Sequence, residues 1–366
     1  HTLKKYMLQS IITGSGSYLP KKIVPNSSFE GITFYDENRE PITKPTPEII
    51  QKFADITEIT ERRYVDDDNI MNSDLAAEVG KLAIENAGID KEDLDYVIVA
   101  HNFGEIDAHE RQIRIMPSIS ALTKHKIGIK NIKCRPYDMN FGCPGWNEGM
   151  ILADQLLKAK IAKKILVVGS ETLSRSVDPF DRNCMIFSDG AAGVVLEARE
   201  SDQPVGVLHH ITRSDNADEI NYLSTDTSLN PNYVGSKVNI RMKGRKIYEY
   251  ALTHVPQVIK QVIDEAGFTI TDINKVLIHQ ANAKMDHAML QRVFKLYGLG
   301  VNNIPEGIAP MTIQKFGNSS VATIPTMYDM MVKGNFLNQT LKSNDLVVFA
   351  SVGAGMNINA ILYRMP

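Results

Sequence analysis

Three residues in this chain have the type and setting to carry covalent chemistry: Cys143, His279 and Asn318. Cys143 follows Gly142 and precedes Pro144-Gly145, after which Trp146, Met150, Ala153 and Leu157 recur at the spacing of an amphipathic helix. A thiol at a helix entrance faces backbone N–H groups and the positive end of the helix dipole, which lowers its pKa and raises its thiolate fraction. The same cysteine also reads as a small buried hydrophobe, the commoner use of an unpaired cysteine. His279 closes the apolar run Val276-Leu277-Ile278 and precedes Gln280-Ala281-Asn282. At the exit of a core strand it either faces a crevice or is a satisfied core histidine. Asn318, within Phe316-Gly317-Asn318-Ser319-Ser320, either caps the helix after it or faces the same crevice. Ser351-Val352-Gly353-Ala354-Gly355 follows another apolar run, and a tight turn there offers N–H groups to an oxyanion.

Cysteine, histidine and asparagine in that order, with His279 136 residues after Cys143, fit a papain-like protease. Three observations remove that reading. Cys143 is followed by Pro144-Gly145-Trp146 instead of the protease signature, Asn318 lies 175 residues on, and alternating strands and helices without disulfides make a different architecture. The remaining histidines, His209-His210 among them, lack zinc-site spacing, so no metal is expected. Gly14-Ser15-Gly16 lacks the third glycine and acidic partner of a dinucleotide fingerprint. Cys134 and Cys184 have no special setting and read as structural.

The elements that position these residues occur twice. Leu82–His101 aligns with Gln261–Gln280 at an offset of 179 residues, each reading as a helix end, a glycine turn and a buried strand. Phe141-Gly142-Cys143 aligns with Phe316-Gly317-Asn318 at an offset of 175, and Ile165–Gly169 aligns with Leu346–Ala350. The second half repeats the amphipathic helix as well, through Val321, Ile324, Tyr328 and Met331. Short continuous apolar strands alternating with helices predict an α/β fold with buried sheets, duplicated over residues 8–200 and 201–366. Equivalent strand ends of two such halves face one another, and a site at their junction draws on both.

Composition agrees with a two-part enzyme. The chain has 366 residues, 43% hydrophobic and 23% charged, with a formal net charge of −3. That balance does not suit a protein built to neutralise phosphates, so no nucleic acid is expected. No run approaches the ~18 apolar residues of a membrane span, and no signal-peptide core stands at the N-terminus. Residues 1–6, ahead of Met7, receive no role. Three cysteines form no disulfide framework, which fits a cytoplasmic chain.

Taken in order, GSGSYLP (Gly14–Pro20), ITERR (Ile59–Arg63), the segment Asp138–Gly145, SDGA (Ser188–Ala191), HQAN (His279–Asn282), FGNSS (Phe316–Ser320) and GAG (Gly353–Gly355) resemble the thiolase superfamily over nearly the whole chain. Within it they resemble ketoacyl-acyl-carrier-protein synthase III. An elongating ketosynthase carries a second histidine where Asn318 stands, and a biosynthetic thiolase carries a late second cysteine. The resemblance implies a duplicated five-layer α-β-α-β-α fold, a homodimer and no cofactor. It implies ping-pong chemistry in which Cys143 takes an acyl group from a thioester. His279 and Asn318 would then stabilise the enolate left when a malonyl-type thioester on acyl carrier protein loses CO₂, and the backbone N–H groups of Cys143 and Ala354 would hold each oxyanion. Lys284 matches a residue that meets carrier protein, or is a solvated charge. Met116 matches one that reaches a partner's acyl pocket, or is ordinary core.

Gln51–Thr57 (QKFADIT) lacks the tryptophan and arginine with which the family sandwiches the adenine of coenzyme A. A carrier-protein-borne starter is favoured over coenzyme A on that ground. Extra residues between Phe29 and Pro47 and between Asn102 and Pro117 point to a specialised ketosynthase, such as one that joins and cyclises two β-ketoacyl thioesters in dialkylresorcinol formation. A non-catalytic partner subunit is the remaining alternative, opposed by the retention of Cys143, His279 and Asn318 together.

Overall fold

Strands that are apolar on both faces have to be covered on both, and the chain meets this requirement twice. The computed structural model describes residues 6–235, 239–336 and 338–366, so residues 1–5 of the leading segment lie outside it. The first half runs β1 (Met7–Tyr18), β2 (Lys22–Pro25), α1 (Thr46–Thr57), β3 (Glu61–Tyr64), α2 (Asn72–Ala87), β4 (Tyr96–Ala100), β5 (Glu105–Ile106), β6 (Ile113–Arg114), α3 (Ile119–Ile127), β7 (Arg135–Met139), α4 (Gly145–Lys158), β8 (Lys164–Thr172) and β9 (Asp189–Ser201). The second runs β10 (Gly206–Ser214), β11 (Leu223–Asp226), β12 (Asn239–Met242), α5 (Gly244–Glu265), β13 (Lys275–Ile278), α6 (Ala283–Leu296), α7 (Ile313–Phe316), α8 (Thr323–Val332), β14 (Leu346–Gly353) and β15 (Asn357–Arg364).

One sheet has the order β1-β9-β8-β4-β7 and the other β10-β15-β14-β13. In both, the two outer pairs on one side are antiparallel, and the pairing becomes parallel at β8–β4 and β14–β13. The duplication read from sequence is therefore a duplication of topology. Among the described residues the second sheet has no counterpart of β7, because the stretch before Asn318 is the short helix α7. The repeated glycine turns hold too: Gly88 (φ +67°) and Gly267 (φ +86°) both stand in the left-handed region after their helices.

Strand parity sets the layers. Ile98, Val167, Leu277, Val347 and Phe349 face a common core with Trp146, Met150, Ala153 and Leu157 of α4 and with Ile324, Tyr328 and Met331 of α8. Their chain neighbours Val97, Val99, Leu166 and Val168 face α2 and α3 on one outside. Val276, Ile278, Val348 and Leu362 face α5 and α6 on the other. The result is helices, sheet, helices α4 and α8, sheet, helices, as expected from the sequence. The extra segments are anchored caps over the strand ends. Phe34 is buried, Tyr35 N–H donates to the Phe180 carbonyl at 2.9 Å, and the Arg111 guanidinium donates to the carbonyls of Arg175 (2.7 Å) and Val177.

Trp146, the only tryptophan, is fully buried in the central layer. Its ring meets Phe349 edge-on at 5.9 Å, and its Nε1–H donates to the Val167 carbonyl at 3.2 Å. It ties α4 to both sheets at once. Trp146→Ala is expected to destabilise the fold by about 3–5 kcal/mol, and Trp146→Phe by clearly less. Urea unfolding followed by far-UV circular dichroism checks this, and an unchanged midpoint for the alanine variant would remove Trp146 from the core argument.

Candidate active site

The C-terminal ends of the parallel strands converge, and two loops close on one another there. Gly142 has φ +67°, and a Cβ on it would lie 2.7 Å from both N and O of Ala354. A Cβ on Gly353 would lie 2.5 Å from the Cys143 nitrogen and 2.9 Å from its Cβ. No real Cβ tolerates such distances, so the two loops touch because both positions are glycine. Cys143 and Ala354 are brought side by side, and among the described residues neither N–H donates to another residue, the Cys143 N–H facing its own sulfur. The second loop is held from behind, with Asn357 Nδ2 donating to the Ala354 carbonyl at 3.0 Å. Asn359 Nδ2 donates to the Pro144 carbonyl at 3.1 Å and Asn147 Nδ2 to the Phe349 carbonyl at 3.3 Å, stitching the start of α4 to β14 and β15.

His279 extends β13 by one residue, with its N–H donating to the Ala350 carbonyl at 2.8 Å. It is buried, and its Nδ1 has no partner among the described residues. The neighbouring Gln280 is also buried. Its Nε2 donates to the Ile278 carbonyl at 2.9 Å, while its Oε1 accepts the N–H groups of Thr312 and Ile313 at 3.1 and 3.3 Å. Gln280 thereby fixes the start of α7, and α7 delivers Gly317 (φ +60°) and Asn318. Arg62 of the ITERR segment packs beneath Gly317. Buried and, among the described residues, without a carboxylate partner, it donates to the Met185 and Val24 carbonyls and to Asn26 Oδ1 at 3.0, 2.9 and 2.7 Å. Asn318 is buried, and its Oδ1 accepts the Ser320 N–H at 2.8 Å. The asparagine is thus a cap, and that cap leaves its Nδ2 as the group to be donated elsewhere.

Burial sets the electrostatics. The Cys143 thiol is pushed up to about 12, mainly by burial, with a hydrogen bond to Ser320 pulling it back and the nearby Glu171 carboxylate pushing further. This shift runs against the sequence expectation that a helix entrance lowers the pKa: desolvation opposes the dipole at a cysteine that still keeps part of its surface exposed. Burial alone lowers His279 to about 4, so its imidazole is neutral at ordinary pH. Cys134 and Cys184 are buried, with their thiols pushed up by burial, in accord with a structural use. Among the described residues no group of three or more His, Cys, Asp or Glu side chains converges, and no helix is long and apolar enough to cross a membrane.

Two family models match the chain, 3-oxoacyl-[acyl-carrier-protein (ACP)] synthase III over residues 137–216 and its C-terminal region over 263–365. The chain is 31% identical to the β-ketoacyl-[acyl-carrier-protein] synthase III of Erythrobacter litoralis, across 98% of this chain and 100% of that one. It belongs to the 3-oxoacyl-[acyl-carrier-protein] synthase III family. Among solved structures it is similar to the Aquifex aeolicus synthase III, with a TM-score of 0.78 at 27% identity over 97% and 99% of the two chains. It shares its fold with Xanthomonas campestris OleA, at a TM-score of 0.74 and 16% identity over 98% of each chain. The chain is a type III ketosynthase, an acyltransferase, with the thiolase fold expected from its sequence.

On this synthase, Lys284 lies exposed in the first turn of α6. Met116 is 87% exposed beside an 81% exposed Ile115, so it is no part of its own chain's core. The single tryptophan is locked in the central layer, and Gln51–Thr57 forms the end of α1 with neither a tryptophan nor an arginine. Serine and aspartate of the SDGA segment are structural. Ser188 pairs with the Arg63 backbone, and Asp189 accepts from Val65 and Ser174. Sequence reasoning passed over Glu171 and Ser320, whose electrostatics reach the thiol, and Asn102, which is hydrogen-bonded to both. The available signal was position, since Asn102 and Glu171 stand at the carboxyl ends of parallel strands β4 and β8, where α/β proteins place their sites.

Because folding lowers the pKa of His279 from 6.5 to about 4, the unfolded chain binds a proton before the folded one does. Stability from this residue is full above pH 6.5 and is lost as pH falls toward 4. The loss is on the order of 3 kcal/mol. Urea unfolding at pH 7.5 and pH 5 should show His279→Asn losing less stability on acidification than the parent, and equal losses would show that His279 is not held neutral.

Proposed function

We propose that the synthase joins an acyl group carried on Cys143 to a malonyl-type thioester by decarboxylative Claisen condensation. The observation that carries this reading is the contact of Gly142 with Ala354 and of Gly353 with Cys143, which sets two N–H groups that no other residue accepts beside the candidate nucleophile. Cys143 Sγ attacks the carbonyl carbon of an acyl thioester, the oxyanion rests on the Cys143 and Ala354 N–H groups, and the carrier thiol leaves. The malonyl-type thioester then enters with its carbonyl at His279 and Asn318. A neutral imidazole and an amide Nδ2 are suited to donate to an enolate oxygen without a competing charge, and the carbanion formed as CO₂ departs attacks the acyl-Cys143.

An acyl carrier protein is the partner. The exposed cation of Lys284, with no carboxylate bonded to it among the described residues, supports its use in docking that acidic protein. We further propose a cytoplasmic homodimer. β7 is the open edge of the five-stranded sheet, and Tyr137 on it and Ile115 and Met116 nearby are exposed, a surface suited to a second copy. Met116 would then reach the partner's acyl pocket. The missing adenine clamp supports a carrier-protein-borne starter.

Intact-protein mass spectrometry after incubation with acyl-coenzyme A, acyl-carrier-protein and β-ketoacyl thioesters tests the reading. A gain of one acyl mass is expected, absent in Cys143→Ala, and larger from carrier protein than from coenzyme A. Acylation that persists in Cys143→Ala, or none from any donor, would overturn it. Gly353→Ala forces the two loops apart and is expected to lower kcat by about 10²–10³-fold, the worth of one oxyanion donor, while the Cys143 thiol remains titratable by a thiol reagent.

A further inference from the structure

The backbone of Asn318 is clamped, its N–H donating to the Ile186 carbonyl and its carbonyl accepting the Ser188 N–H, both at 2.9 Å. Those two bonds leave the side-chain torsions free. Among the described residues, the one hydrogen bond that sets them is the 2.8 Å contact of Oδ1 with the Ser320 N–H. The aim of Nδ2 is therefore only as firm as Ser320. Ser320 holds φ at +55°, a conformation costly for a residue with a Cβ, and such a conformation persists only where the surroundings over-determine it.

What over-determines Ser320 comes from the other half of the chain. Asn102 Nδ2 donates to Ser320 Oγ and to Glu171 Oε2, each at 2.8 Å, and the Asn102 backbone N–H donates to Glu171 Oε1 at 2.7 Å. Strand register sets the pair opposite one another, since both stand two residues beyond the paired Ala100 of β4 and Gly169 of β8. A carboxylate only accepts, so Glu171 settles which end of the Asn102 amide is nitrogen and turns its second hydrogen toward Ser320. Glu171 is buried and, among the described residues, meets no cation. Both of its oxygens are taken up by the backbone and the side chain of one residue. A buried carboxyl group is costly to keep, and this one acts as a mould for Asn102.

We infer that Glu171 and Asn102 are positioning residues for the decarboxylating half-reaction. Glu171 fixes Asn102, Asn102 fixes Ser320, and the Ser320 N–H holds Asn318 Oδ1 so that Nδ2 points at the enolate oxygen. The inference rests on the proposed use of Asn318 as an enolate donor. β4 also pairs with β7, the strand that leads to the Cys143 turn. Asn318 is thereby tied to the same sheet as the candidate nucleophile, which sets the enolate at a fixed place relative to the acyl group it attacks. An amide aimed by a single hydrogen bond swings when the donor of that bond shifts.

The test separates the two half-reactions. Enzyme first acylated on Cys143 is given a malonyl-type thioester, and CO₂ release is followed. Asn102→Ala is expected to lower kcat for release about 10²-fold with little change in KM, the cost of a donor misplaced by roughly 1 Å. Asn318→Ala is expected to lower it by about 10²–10³-fold. In the double variant the loss should be no greater than in Asn318→Ala alone, because Asn102 acts only through Asn318. Losses that multiply in the double variant overturn the inference, as does parental release in Asn102→Ala or a defect confined to acyl-mass gain. Parental release in Asn318→Ala overturns the donor reading itself. Should Asn102→Ala fail to fold by circular dichroism, Asn102→Ala/Glu171→Gln, which strands no buried charge, takes its place in the same measurement.

Discussion

Two loops from different halves of the chain touch with no side chain between them, at Gly142 against Ala354 and at Gly353 against Cys143. Everything else in the site is arranged around that contact. It is a closure of peptide on peptide, so the distance between the halves is fixed by backbone dimensions and not by a side chain able to choose another rotamer. The amides behind it, Asn147, Asn357 and Asn359, spend their hydrogen bonds on backbone carbonyls across the same seam. The buried aromatic packing of Trp146 and Phe349 lies directly beneath. A site made this way is preorganised, because donors aimed at a developing oxyanion do not have to be gathered when the reaction begins.

The same closure removes water, and one consequence runs through all the ionisable groups. Burial raises the Cys143 thiol and the Glu171 carboxyl and lowers the His279 imidazole. Each shift favours the neutral form, as expected where the dielectric is low. A site of neutral donors suits an enolate, onto whose oxygen the charge of the malonyl carboxylate moves as CO₂ leaves. The thiol bears the disadvantage, since the environment that helps the second half-reaction hinders ionisation for the first. Hydrogen bonding from Ser320 offsets part of that hindrance.

Much of this was legible in the sequence. The duplication, the alternation of strand and helix, the apolar stripe of α4 and the strand-end settings of Cys143 and His279 all follow from short-range periodicity, which a chain displays openly, whereas Asn318 follows the short helix α7 and not a strand. The direction of the thiol's pKa was not legible, because a helix entrance is local information and burial is not. Asn102, Glu171 and Ser320 were invisible for the same reason. Asn102 and Ser320 stand 218 residues apart, and nothing in either neighbourhood announces the other. Gln280 and Arg62 sat inside recognised segments, yet their work of steadying α7 and Gly317 becomes apparent only when the chain is folded. The short strands β5, β6, β11 and β12 lack a periodic pattern long enough to read.

The duplication is most informative where it fails. Gly142 and Gly317 occupy equivalent turns with nearly the same φ, and each presents the next residue to the junction. The first half places a cysteine there, behind a regular strand, β7, and ahead of the long helix α4. The second places an asparagine, behind a single turn of helix and ahead of a short one. A nucleophile has to be held where its bond will form, and the continuous strand–turn–helix unit supplies that rigidity by itself. A hydrogen-bond donor needs only its direction fixed, and a cap suffices, since Ser320 N–H occupies Oδ1 and turns Nδ2 outward. Because the second turn has no strand behind it, its position has to come from elsewhere, which accounts for the buried, hydrogen-bonded Gln280 and Arg62 next to it. Symmetry of the backbone thus brings two turns face to face, and its local breakdown lets one of them attack while the other donates.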